Sequence, residues 1–237
     1  MNRGGGTVKN NRKSLRDLVS GSRYSIIGVV CCLAVAAVWF AFVQPRPAVA
    51  PASGAGPAGA ASGRPITLVQ ATVVGHTRFP NGDTPRGGQG QPVDGIQASA
   101  SEQIVYHIHA HLSLFDHGRQ VALPRGIGIV PPRVVQNGFV VGGQAFYWLH
   151  THDATGIIHI ESPVRKLYTL AQFFAVWGEP LTRRDVAGMN GAVTVFLNGR
   201  PYRGNPGAIT LVAHREITLE VGQPVVPPPV YTFPPGL

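Results

Sequence analysis

The sequence predicts a β-rich α+β domain, with hairpins in antiparallel sheets and one main amphipathic helix, preceded by a single transmembrane helix. Three observations carry this. Ile104 to Phe115 (IVYHIHAHLSLF) alternates with a period of two, the mark of a strand with two distinct faces. Leu170, Phe173, Phe174 and Trp177 fall at i, i+3, i+4 and i+7, which is one face of a helix. Tyr24 to Val43 (YSIIGVVCCLAVAAVWFAFV) carries no charge. At about 1.5 Å per residue that run spans about 30 Å, the thickness of a bilayer core.

The membrane segment comes first. Residues 1–23 form a basic tail with Arg3, Lys9, Arg12, Lys13, Arg16 and Arg23. Only Arg46 and Arg64 follow the apolar run closely, so the positive-inside rule keeps the tail cytoplasmic and exports the rest. Tyr24 and Trp39 sit near the ends of the run, where amphipathic rings favour the interface. A cleaved signal peptide is the competing reading. Its apolar region is normally about 7–15 residues, and the Ala-x-Ala at Ala48–Ala50 is followed by Pro51. A lipoprotein is disfavoured by Val30 before Cys31. The expected localisation is therefore the cell membrane, single-pass, with a periplasmic or extracellular C-terminal domain.

Residues 44–64 (QPRPAVAPASGAGPAGAASGR) read as a Pro/Ala/Gly linker. Residues 65–100 hold one expected strand, Ile66 to Val74, and a long loop. The domain proper is expected at 101–223, followed by an extended Pro-rich tail at 224–237. Within it, Asp116 to Arg119 turns the first strand back through Gln120 to Leu123. Phe146 to Thr151 and Ile157 to Glu161 are strands joined by the turn Asp153-Ala154-Thr155-Gly156. The helix runs over Thr169 to Gly178, with Thr169 as N-cap and Gly178 as stop. Leu181 to Met189 suggests a short second helix. Asn198-Gly199 between apolar flanks is a strong hairpin signal. Ile209 to Val212 and Glu216 to Val221 read as another strand pair. LSLFDHGRQVALPRGIGI and VTVFLNGRPYRGNPGAITL echo one another, which suggests two similar hairpins in one sheet system.

Composition excludes some functions. The net charge of +9 invites nucleic-acid binding, but much of it lies in the basic tail. The remainder has no basic stripe with interleaved aromatics. Both cysteines, Cys31 and Cys32, lie in the apolar run. The exported part has neither disulfides nor thiolate ligands.

Six of nine histidines fall in two short segments. His107, His109 and His111 alternate along one strand and share a face, with Cα atoms roughly 6.6 Å apart in succession. His150, His152 and His159 lie in the second segment. With Ala154 and Thr155 as central turn residues, His150 falls opposite His159. Crowded imidazoles repel when protonated, whereas a divalent metal binds their neutral nitrogens. Asp153 and Glu161 are candidate ligands or acceptors that orient an imidazole N–H. Imidazole suits Zn, Cu, Ni and Fe. With no cysteine and only Met189 in the exported part, Zn(II) or Cu(II) is favoured over Cu(I). His76, His117 and His214 lie near turns and read as ordinary hydrogen-bonding residues.

The landmarks YHIHAHLSLF, YWLHTHDATGIIHIESP and TLAQFFAVWG resemble those of a family of bacterial proteins with an N-terminal membrane anchor. The resemblance covers about half the chain. It implies a unit of fold and lends no activity. Better-known families fit less well. Cupins share H-x-H followed by an acid, but the spacing from His152 to Glu161 is too long. Amidohydrolases need a longer barrel, and blue-copper sites need a cysteine.

The leading expectation is therefore an anchored domain that binds a divalent transition metal outside the cytoplasm. A metal-dependent, cupin-like enzyme and a metal-free structural or partner-binding envelope domain are the alternatives. A proton-sensing histidine cluster is a further option.

Overall fold

The longest strand, Tyr106–Asp116, is the axis around which the central sheet is built. The computed structural model describes residues 64–237. The expected basic tail, the transmembrane segment Tyr24 to Val43 and the linker through residue 63 lie outside the described residues. Among the described residues no helix is long and apolar enough to cross a membrane.

Seven strands make the central sheet: β1 (Tyr106–Asp116), β2 (Arg119–Val121), β3 (Leu149–His150), β4 (Ile157–Ser162), β5 (Val193–Leu197), β6 (Arg200–Pro201) and β7 (Glu216–Val221). Their order is β6-β5-β7-β1-β4-β3, with β2 paired to the far end of β1. The length of β1 lets it take two antiparallel partners in succession. Residues Tyr106 to His111 pair with β4, and Leu114 to Asp116 pair with β2. Along its other edge β7 runs parallel from His111 to Asp116.

The alternation of β1 separates two environments. Ala110, Leu112 and Leu114 point to the main core with Ile158, Ile160, Ile217 and Leu219. The helix α1 (Leu170–Trp177) contributes Leu170, Phe173, Phe174 and Trp177 to the same core. Burying an aromatic or aliphatic side chain of this size contributes about 1.5–3 kcal/mol, so the aromatic stripe accounts for much of this helix's attachment. Its ends are fixed as the sequence suggests. Thr169 and Gln172 form a capping box, and Gly178 closes the helix at φ 79°.

The opposite face of the sheet carries His107, His109, His111 and Ser113, with His159 and Glu161 of β4 beside them. This polar face is also covered. The phenol of Tyr231 accepts from Ser113 and Gln120. Its strand Tyr231–Thr232 runs parallel to Ile66–Thr67. Leu68, Ile157 and Tyr231 form a small second cluster there.

Both echoed segments are hairpins of this one sheet. Asp116 pairs with Arg119 around His117-Gly118, at φ 49° and 75°; Leu197 pairs with Arg200 around Asn198-Gly199, at φ 48° and 73°. Two successive positive φ values define the hairpin turn whose twist suits a sheet.

Four elements differ from expectation. Ile66 to Val74 contributes only the two-residue strand Ile66–Thr67. Phe146 to Thr151 is split: Ala145–Tyr147 pairs with Ala98–Ser99 and with Ile129–Val130, while β3 joins β4. Leu181 to Met189 is no helix. Ala187 and Gly188 take φ 50° and 76°, so Asp185–Val186 turns back on Met189–Asn190. Thr210–Leu211 pairs with Tyr168–Thr169, not with β7, which lies between β5 and β1.

The β3–β4 connection depends on Gly156. Its φ is 93°, and a Cβ there would lie 2.6 Å from the Leu112 carbonyl oxygen and 2.8 Å from His111 Nε2. Both the strained conformation and the contact with fixed backbone oppose a side chain. Gly156→Ala is expected to cost at least about 2 kcal/mol. Chemical denaturation would read this as a lower midpoint.

Candidate metal centre

The sheet register assembles the site. His109 lies opposite His159, His107 opposite Glu161, and His150 opposite His159 from the other side. His159 thus has an imidazole directly across from it on each neighbouring strand. Opposed side chains in a sheet have Cβ atoms roughly 4.5–5.5 Å apart, so the rings meet. The centroid of His159 lies 4.6 Å from that of His109, 5.4 Å from His150 and 4.5 Å from His152. His152 enters from the turn just beyond β3.

Two histidine pairs flank this central ring. The Nε2 atoms of His107 and His109 are 3.0 Å apart, and so are those of His150 and His152. Glu161 joins both sides. Its Oε1 lies 3.1 Å from His107 Nε2 and 3.1 Å from His159 Nδ1, and its Oε2 lies 3.9 Å from His150 Nε2. Two sets of ligand atoms each fall within 4.8 Å of one another: His107, His109, His159 and Glu161, and His150, His152, His159 and Glu161. These buried His/Glu clusters could hold a metal ion.

The second pair is the more telling. His150 Nδ1 donates to the Tyr147 carbonyl at 2.7 Å, and His152 Nδ1 donates to the Val140 carbonyl at 2.6 Å. A carbonyl only accepts, so both Nδ1 atoms carry the proton. In neutral rings both Nε2 atoms then present lone pairs, facing one another at 3.0 Å. A cation between them, or a proton on His152 Nε2 given to His150 or to Glu102, resolves that contact. Backbone carbonyls on the far nitrogen are also how metal-ligating histidines are commonly oriented.

The surroundings hold the rings in place and keep most of them neutral. Phe139 stacks on His152 at 4.6 Å, and Phe146 meets His150 edge-on at 5.9 Å. Burial, reinforced by His107, lowers the pKa of His109 to about 4. Burial and then His152 lower that of His150 to about 3. His159 is held well below its usual value by burial and the neighbouring imidazoles. Burial raises Glu161 to about 7. His152 is the exception: burial opposes its charge, yet hydrogen bonds to Glu102 and to the Val140 carbonyl raise its pKa. His107 is the most open ligand, with its side chain 38% exposed.

Three residues depart from the sequence reading. His111 does not join the cluster. Its Nε2 donates to the Thr155 carbonyl at 2.8 Å and its ring lies 4.0 Å from that of Tyr231, so the C-terminal segment and the turn enclose it. Burial there lowers its pKa to about 4. Asp153 is also turned away. It accepts from Thr155 and from the Ala71 amide, which is turn and strap chemistry. Glu102 was not expected. Its Oε1 lies 3.2 Å from His152 Nε2. It sits in the irregular segment before β1, where no periodicity points to it. His76, His117 and His214 make hydrogen bonds to Gln120, Asp116 and Leu237, as turn residues do.

His111→Gln is accordingly expected to leave metal content unchanged while lowering the denaturation midpoint, because it empties ring volume from a buried site. Loss of metal in this variant would return His111 to the cluster.

No protein family, curated protein or solved structure matches the chain. The likeness to anchored bacterial proteins therefore rests on the three sequence landmarks alone.

Proposed function

We propose that the domain binds a divalent transition metal, zinc or copper, through His107, His109, His150, His152, His159 and Glu161. We further propose that it does so outside the cytoplasm, tethered by the apolar segment Tyr24 to Val43. The observation that carries the metal reading is the pair of Nε2 atoms 3.0 Å apart on His150 and His152, both with Nδ1 committed to backbone carbonyls. Two imidazole nitrogens about 2.0–2.1 Å from one zinc ion in a tetrahedral shell lie roughly 3.3 Å apart. The site is thus close to ligand spacing already. Five imidazoles, a buried carboxylate and no thiolate suit Zn(II) or Cu(II).

A bound proton is the second reading, favoured by Glu102. Its carboxylate raises the His152 pKa, and a protonated His152 would donate across the gap to His150. Metal and proton compete for the same lone pairs, so the two readings separate in a titration. Isothermal titration of the full chain with Zn(II) and Cu(II) at neutral pH is expected to give tight binding with proton release. His150→Ala/His152→Ala is expected to weaken binding at that pair at least 100-fold. Absence of binding by either metal would leave the proton as the occupant.

Storage, delivery or sensing fits this ligand set better than catalysis. Each half of the cluster reaches four donors, with His159 and Glu161 common to both, whereas a catalytic zinc keeps a position open for water or substrate.

A further inference from the structure

We propose that the cluster is a two-metal centre bridged by the Glu161 carboxylate; this rests on the metal-binding reading and deepens it. The two ligand sets overlap only in His159 and Glu161, with the His107/His109 pair in one and the His150/His152 pair in the other. Donors of one ion at about 2.1 Å can be no more than about 4.2 Å apart, so a single ion is a poor match for both pairs. Glu161 has an oxygen for each. Oε1 lies 3.1 Å from His107 Nε2. Oε2 is buried without a hydrogen-bond partner and lies 3.9 Å from His150 Nε2.

That second oxygen is the independent observation. A carboxylate side chain only 3% exposed, with one oxygen unpaired, is costly unless a cation or proton meets it. A second ion between Oε2 and the His150/His152 pair would satisfy the oxygen and both lone pairs together. Donor counting agrees. Five imidazole nitrogens, both oxygens of Glu161 and the nearby Glu102 carboxylate supply eight donor atoms, the number that two four-coordinate ions take. Each ion would have one ligand open to solvent, His107 at 38% exposed on one side and Glu102 at 39% exposed on the other.

The test uses the full chain loaded with Zn(II) or Cu(II) and desalted. Two equivalents of metal per chain are expected, falling to about one in His107→Ala/His109→Ala and to about one in His150→Ala/His152→Ala. In the two-copper form, electron paramagnetic resonance is expected to show coupled ions through a half-field transition and loss of the ordinary isolated-copper signal. Glu161→Gln, which keeps the side-chain volume, is expected to abolish the coupling. The coupling in the unaltered chain needs no variant to fold. One equivalent, lost in both double variants, would overturn the two-metal centre and leave the metal-binding reading standing. Two equivalents without coupling would overturn the bridge. No bound metal would remove the metal-binding reading itself, and the bridge with it.

Discussion

Zn(II) or Cu(II) at saturating free concentration is expected to raise the melting temperature of the chain by on the order of 10 °C. A ligand bound only by the folded state stabilises it by RT ln(1 + [L]/Kd), about 4 kcal/mol at a thousand-fold excess over Kd. In domains of this size one kcal/mol corresponds to roughly 2–4 °C. The unfolded chain lacks the site because its ligands come from β1, β3, β4 and two connecting segments, and only the sheet register brings them together. Only the i, i+2 neighbours His107/His109, His150/His152 and His159/Glu161 remain close in an unfolded chain, and none of these pairs makes a four-donor set. The rise is expected to be clearly smaller in His150→Ala/His152→Ala, whose changes remove one of the two histidine pairs but leave the core face of the sheet intact. Thermal melts of the desalted and metal-loaded chain measure it. An equal rise in the double variant would place the metal elsewhere.

Acidification is expected to destabilise the metal-free chain. The sign follows from the direction of each pKa. His109 at about 4, His111 at about 4 and His150 at about 3 all lie below the unfolded value near 6.5. Their stabilisation is fully present above 6.5 and is lost as pH falls through about 4, because the unfolded chain takes up protons first. Glu161 acts in the opposite sense. Raised to about 7, it contributes stability below its unfolded value near 4.5 and loses it as pH rises through 7. His152, also raised, works in the same direction as Glu161. Three depressed histidines, with His159 beside them, outweigh these two. The net loss between pH 7.5 and 5 is about 3 kcal/mol, or roughly 10 °C in melting temperature. Bound metal is expected to move the acid transition lower, since protons must displace it from the same nitrogens. A metal-free chain that is more stable at pH 5 than at pH 7.5 would contradict the burial assigned to these rings.

The local features were readable because each follows from neighbours in sequence. The period-two run of β1 marks which histidines share a face. The helix announces itself through Leu170, Phe173, Phe174 and Trp177, with Thr169 and Gly178 at its ends. The turn centred on Ala154 and Thr155 sets the register that places His150 opposite His159. Long-range placement was not readable. The parallel pairing of β7 with β1 joins segments about a hundred residues apart, and no local signal encodes it. His111 shares its face with His107 and His109, yet Tyr231 from the far end of the chain encloses it. Glu102 lies in an irregular segment and reaches His152 only because that segment folds back over the site. Asp153 shows the converse: a carboxylate beside two histidines in sequence is absorbed by its own turn. The short hairpin at Asp185–Val186 and Met189–Asn190 rests on Ala187 in a left-handed conformation, which the residue type does not advertise.

The central claim is that the buried histidines on β1, β3 and β4 exist to hold metal. Its most direct test is the metal content of the full chain, purified without a polyhistidine tag or chelator and measured beside His150→Ala/His152→Ala. The account requires near-stoichiometric or greater zinc or copper in the unaltered chain and a clear loss in the variant. No metal in the unaltered chain, even after reloading with Zn(II) and Cu(II) at neutral pH, would contradict it.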